Sequence, residues 1–263
     1  MSIVMKPEER CLEKLTTLEV SDLIAGGARR IIVPCGAVEQ HGPHMALSMD
    51  ARHAEALAGR VAMALGQTLI APTIRVGCSP HHLDFSGTVS LAPETFAAIC
   101  RDYCVSLARH GFNRILFFSG HIGNFPHLEA ALPMLNEAVA GRAQVVAFHD
   151  PDAWLDGWRR AVARAGGDPE RVGGHADLAE TSIMLEIDPS AVRMPLAAAG
   201  RLGPIAKRDL DVIWRDGFAS VSPNGILGDA RGATPSIGQA CLDEIANLLT
   251  SFFRQGDRAG VGA

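Results

Sequence analysis

Arg30-Ile31-Ile32-Val33-Pro34, running on to Glu39-Gln40-His41-Gly42-Pro43-His44 and then Asp50, is the stretch that decides the fold. Ile31, Ile32 and Val33 are a short β-branched run of the kind a buried strand uses. The polar cluster falls at the carboxyl end of that strand, which in open α/β sheets is where ligands bind. Glu39, His41 and Asp50, with no thiol pair nearby, are ligand types for Zn²⁺, Mn²⁺ or Fe²⁺. One segment thus predicts both a parallel sheet and a metal-dependent hydrolase at its edge.

Working outward, three more apolar runs read as strands, at residues 68–74, 114–118 and 144–148, beside the first at 30–34. Helical patterns lie between and after them, at 51–65, 93–109, 127–139 and 240–254. Ala54, Leu57, Val61 and Leu65 share one helix face, and Pro93, Glu94 and Gly111 suit the start, first turn and stop of another. Alternation of strand and helix points to an α/β fold with a mainly parallel sheet and helices on both faces. The glycine-rich stretches 166–174 and 217–234 read as functional loops of one domain spanning residues 1–263.

Composition narrows the function. A net charge of −5 with acids and bases mixed argues against a nucleic-acid surface, and no basic run suggests a membrane one. The N-terminus turns charged too early for a signal peptide, and no apolar run approaches membrane-spanning length. None of the six cysteines has C-x-x-C spacing; Cys100 and Cys104 read as core residues of a helix. The expectation is a cytoplasmic protein with reduced thiols.

The other strands also run into polar groups: Ser79, His81, His82 and Asp84 after the second, Ser119-Gly120-His121-Ile122-Gly123-Asn124 after the third, and His149-Asp150 after the fourth. A parallel sheet puts these ends along one edge, where they can converge. Later, His175-Ala176-Asp177-Leu178-Ala179-Glu180-Thr181-Ser182 opens an apolar helix. Anionic oxygens and neutral imidazoles suit a divalent ion, and a carboxylate can bridge two ions, which lower the pKa of a shared water and polarise a carbonyl. Amide hydrolysis is the matching reaction, with a histidine protonating the leaving nitrogen. Spacing alone also allows Asp50 to cap the helix that follows it and Gly120 and Gly123 to mark a tight turn, and it leaves His53, His81 and His149 undecided.

GAVEQHGPHMALSMD, SGHIGNFP, HADLAETS and NGILGDARGAT, in this order, resemble the creatininase family of creatinine amidohydrolase-like proteins. The resemblance implies a three-layer α/β/α sandwich, two divalent metal ions per subunit (zinc, manganese or iron), and a homo-oligomer, with a hexamer favoured. It implies Glu39 and His41 as ligands of different metals, Asp50 as the bridge, and His121 as a further ligand. Creatinine-hydrolysing members carry a glutamate where this chain has Gly123, which leaves Glu180 as the remaining ligand. His175 resembles the residue that handles protons, with Glu180 beside it in the catalytic set. Ser79 and His82 resemble substrate-pocket positions, although His81 replaces the usual acid and Ala46 the usual proline. Trp154 and Trp158 could stack on a planar substrate or merely cover a loop. The expected activity is cleavage of a C–N amide bond in a small cyclic or formyl amide by a metal-held hydroxide. The alternatives are a family peptidase or deformylase of cofactor biosynthesis, a non-catalytic metabolite-binding relative, and an isomerase or lyase that keeps the metal.

Overall fold

The computed structural model describes residues 9–203 and 205–259. After helix α1 (Thr17–Ala25), opened by a Thr16–Glu19 capping box, come β1 (Arg30–Cys35), α2 (Met49–Leu65), β2 (Thr68–Ile70), α3 (Pro93–Arg109), β3 (Arg114–Ser119), α4 (Phe125–Ala138) and β4 (Gln144–Ala147). The four strands are all parallel, in the order β2-β1-β3-β4. The chain then adds α5 (Pro151–Arg164), β5 (Val172–His175), α6 (Leu178–Ile187), α7 (Lys207–Asp216), β6 (Leu227–Gly228) and α8 (Pro235–Ala259).

Alternation along the strands divides the core into two sides. Ile32, Leu116 and Phe118 pack with α2, α5, α6 and α8, while Ile31, Val33, Ile115 and Phe117 pack with α3 and α4. The result is an α/β/α sandwich, as the strand pattern implies. The chain leaves β1 into α2 on one side of the sheet and leaves β3 into α4 on the other. The carboxyl ends of β1 and β3 therefore mark the topological switch point, where α/β proteins bind ligands.

Several boundaries differ from the sequence expectation. β2 stops at Ile70 because Pro72 has no N–H for the ladder; the pairing resumes at Ile74, whose N–H bonds to the Pro34 carbonyl. Helix α5 was not foreseen, although Asp150 caps it by accepting from the Ala153 N–H and Pro151 opens it. Helix α7 was also missed. Within the two stretches expected to be loops, β5 and β6 form a small antiparallel pair that carries His175. No helix of the described residues is long and apolar enough to cross a membrane.

Candidate metal centre

Three chain segments converge on the switch point. Glu39 and His41 follow β1, His121 follows β3, and Asp50 sits in the first turn of α2. Ser48 is the N-cap residue of α2 and Asp50 caps nothing, so its carboxylate is free to face the cluster. Gly120 allows this approach: a Cβ there would come within 2.3 Å of the Asp50 carbonyl oxygen. Asn124 holds the loops in register. Its Nδ2 donates to the Gly36 carbonyl and to Ser119 Oγ, and its Oδ1 accepts from the Cys78 N–H. His175 and Glu180 arrive from β5 and α6. Asp177, N-cap of α6, accepts from four backbone N–H groups of Gly173, Gly174, Ala179 and Glu180. Ala176 between them adopts φ +53 and donates its N–H to Glu180 Oε2 at 2.5 Å.

Asp50 stands between two groups of donors. Its Oδ1 lies 3.3 Å from His41 Nε2, which is also 3.7 Å from Glu180 Oε2. Its Oδ2 lies 3.7 Å from His121 Nδ1, which is 3.2 Å from Glu39 Oε1. The tautomers follow from the outer hydrogen bonds. His41 donates from Nδ1 to the Glu39 carbonyl at 3.1 Å, and His121 donates from Nε2 to the Cys78 carbonyl at 3.1 Å. Each ring thus aims a lone pair inward. All five residues are buried, yet Glu39 Oε1 and Oε2, His41 Nε2 and Asp50 Oδ2 have no hydrogen-bond partner.

Burying so many acceptors unpartnered is costly unless a cation joins them. Tetrahedral bonds of about 2.0–2.2 Å set neighbouring donors about 3.4 Å apart, and the four separations above scatter around that value. Oxygen and imidazole donors without thiolate suit zinc, manganese or iron. The residues present therefore fit divalent cations: Glu39, Asp50 and His121 gather their ligand atoms in one group and His41, His175 and Glu180 in another, with Asp50 Oδ1 beside His41.

Electrostatics agree with that fit. Burial opposes charge on His41 and His121, but Asp50 and Glu180 around the first and Glu39 and Asp50 around the second outweigh it, raising them to about 10 and about 9. Burial pushes Glu39 up as well, yet His121, His82 and His175 hold its carboxyl well below the usual range. Burial raises Asp50, and more strongly Glu180, despite His41 beside both. Three carboxylates crowded into the interior hold protons on the rings around them, and the same pull would hold divalent cations.

The other expected site residues divide. His175 adjoins the cluster, its Nδ1 3.7 Å from Glu39 Oε1, and burial keeps its ring neutral. His82 adjoins it too, with Nε2 3.4 Å from the same oxygen. Ser79 is fully buried beside them with its hydroxyl unpartnered. Trp154 is a correction. It is fully enclosed on α5, packed against Phe125, Phe148, Trp158 and His53, so it has no face to offer a substrate. Helical periodicity turned both α5 tryptophans into the core. Glu180 stands on the His41 side of Asp50, its Oε2 3.7 Å from His41 Nε2. His53 belongs to the tryptophan cluster, His44 pairs with Thr181 Oγ1, and His149 lies near Glu129.

Three residues near the cluster escaped the sequence reading. Phe218 stacks on His82 with ring centres 4.3 Å apart and lies 4.9 Å from His175, while Trp214 on α7 packs 4.3 Å from His81 and is 47% exposed. Only the helical spacing of Leu210, Ile213 and Trp214 could have signalled α7. Gln40, inside the most informative motif, bonds to the rings around it.

The family model described as creatinine amidohydrolase (creatininase) matches residues 13–253. A mycofactocin precursor peptide peptidase of Mycobacterium ulcerans (strain Agy99) is 34% identical over 229 residues, 84% of this chain and 83% of that relative. A creatinine amidohydrolase of Pseudomonas putida is 28% identical over 260 residues, 91% of this chain and 96% of that relative. A solved mutant creatininase of the Zn–Zn type superposes with a TM-score of 0.74 at 25% identity, covering 93% of this chain and 98% of that one.

Proposed function

This chain belongs to the creatininase family and is a hydrolase of amide C–N bonds, and on that premise we propose that it works with two divalent ions, zinc or manganese, held by Glu39, His41, Asp50, His121 and Glu180. The observation that carries the reading is the set of buried, unpartnered donor atoms on Glu39, His41 and Asp50, converging at metal-ligand spacing. Bound ions would supply Lewis acidity toward the substrate carbonyl and an activated water.

The protein's own groups do the rest. His175 Nε2 lies 2.8 Å from the Gln40 carbonyl and donates to it, which leaves Nδ1 a lone pair facing the cluster. That atom can take the proton of the attacking water and deliver it to the leaving nitrogen. Ser79 and His82 border the same space and would contact the substrate. Burial of the whole set excludes bulk water and strengthens each electrostatic contact.

A small cyclic or formyl amide is the first substrate reading. A peptide is the second, favoured by Gly123, which removes the glutamate of the creatinine-hydrolysing pattern, and by the peptide peptidase at 34% identity. The test offers cyclic amides, formamides and short peptides to metal-reconstituted protein in oxygen-labelled water. The expected result is turnover with solvent oxygen in the product carboxylate, lost together with bound metal in Asp50→Ala. A folded, fully active Asp50→Ala protein would overturn the site assignment, and turnover without label would replace hydrolysis by an isomerase or lyase reaction.

A further inference from the structure

Four imidazoles face the cluster, and their outer hydrogen bonds do not treat them alike. His41, His121 and His175 each donate outward to a backbone carbonyl, of Glu39, Cys78 and Gln40 respectively, and aim a lone pair inward. His82 is the exception, and Gln40 is the reason.

The Gln40 carboxamide is 4% exposed and pinned at both ends. Its Oε1 accepts from the Gly42 N–H at 2.9 Å. Its Nε2 lies 3.1 Å from the Gly225 carbonyl oxygen and 2.9 Å from His82 Nδ1. An amide nitrogen has two hydrogens to give and nothing to accept with. One hydrogen goes to Gly225, whose carbonyl can only accept, and the other goes to His82 Nδ1. The reversed amide fails at both ends, setting oxygen against the Gly225 carbonyl and an NH₂ group against the Gly42 N–H.

A ring that accepts at Nδ1 carries its proton on Nε2. That N–H points inward, 3.4 Å from Glu39 Oε1. The contact between Gln40 Nε2 and His175 Nε2, 2.9 Å, is then no competitor: both amide hydrogens are already placed, and His175 Nε2 is itself a donor to the Gln40 carbonyl at 2.8 Å. The turn at Gly225 is shaped around this amide. Its φ is +76, and a Cβ there would sit 2.0 Å from Gln40 Oε1.

The geometry points to Gln40 as a positioning residue that gives two neighbouring imidazoles opposite roles, His82 as hydrogen-bond donor to the substrate's carbonyl oxygen and His175 as proton acceptor. Although His82, His175 and Glu39 bring donor atoms within metal-binding distance of one another, His82 directs a hydrogen, not a lone pair, into the site and is not a metal ligand. A donor aimed where negative charge develops stabilises the transition state of acyl transfer. The role in catalysis rests on the hydrolase reading above, whereas the tautomer itself can be measured independently.

The experiment uses full-length protein reconstituted with zinc and carrying nitrogen-labelled histidine. Nuclear magnetic resonance correlation of ring nitrogens with ring protons reads each tautomer, and the signal lost in His82→Asn identifies His82. The expected result is a neutral His82 protonated at Nε2 in the wild type. In Gln40→Glu, a carboxylate oxygen would replace the amide donor opposite Nδ1, and the proton is expected to move to Nδ1. Wild-type His82 protonated at Nδ1, or a His82 tautomer unchanged in Gln40→Glu, would overturn the assignment. Zinc content of the same samples reports on the dinuclear centre separately, so failure of that reading and failure of this one are distinguishable.

Discussion

Replacing Asp177 tests how the second half of the centre is held. Its Oδ1 accepts from the Ala179 and Glu180 N–H groups at 2.8 and 3.1 Å, and its Oδ2 from those of Gly173 and Gly174 at 2.8 Å each. One buried carboxylate thus ties β5, which carries His175, to the first turn of α6, which carries Glu180. Asp177→Ala removes an N-cap, worth about 0.5–2 kcal/mol, and leaves two further N–H groups without partners, about 1–3 kcal/mol each. Relief of the carboxylate's own desolvation, which raises its pKa against the four N–H groups, offsets part of this. The expected loss is about 3 kcal/mol, near the lower end of the sum. Asp177→Asn can keep the Oδ1 bonds but turns an NH₂ group toward Gly173 and Gly174, so about 2 kcal/mol is expected. Urea unfolding of metal-reconstituted protein measures both, with metal content determined on the same samples. The alanine variant is also expected to retain less metal, because Glu180 loses the anchored turn that positions it. A variant within about 0.5 kcal/mol of wild type with full metal content would refute the reasoning.

Three other outcomes follow from the same geometry. In metal-free protein, His41 and His121 have folded pKa values of about 10 and about 9 against 6.5 unfolded; their stabilisation is complete below 6.5 and is lost as pH rises through those values. The thermal midpoint of metal-free protein should therefore fall from pH 7 to pH 10 and that of loaded protein should fall less, whereas a flat metal-free profile would contradict the crowding of carboxylates described above. Gly123→Ala puts a Cβ 2.3 Å from His121 Nε2 without backbone strain, so the ring must leave the Cys78 carbonyl, and metal affinity should drop about 10–100-fold in chelator competition; unchanged affinity would show that the ring position is not needed. Trp154→Ala should cost about 3–5 kcal/mol in denaturant unfolding, while a variant of wild-type stability with an altered KM would return Trp154 to the substrate pocket.

The sandwich was legible because its strands are short apolar runs and its helices carry clean stops such as Gly111. The cluster was legible for a simpler reason: Glu39, His41, Asp50 and His121 follow strands of one parallel sheet, and topology alone brings such ends together. What escaped depends on side-chain direction. Trp154 reads as a free aromatic until α5 is recognised, since only helical periodicity turns it into the core. The side of Asp50 on which Glu180 lies is set by the Asp177 cap and by Ala176 at φ +53, and no spacing rule encodes that conformation. Gln40 stood in plain view within the motif, but its role lies in which hydrogen goes to which ring. Phe218 and Trp214 reach the site through contacts between segments distant in sequence, beyond the reach of any local pattern.

The central claim, two ions sharing Asp50, is tested most directly by metal content per chain in protein purified without chelator and then reconstituted with Zn²⁺ or Mn²⁺. About two ions per chain are expected in the wild type and fewer than one in Asp50→Ala. No bound metal after reconstitution, or two ions retained without the Asp50 carboxylate, would contradict the account.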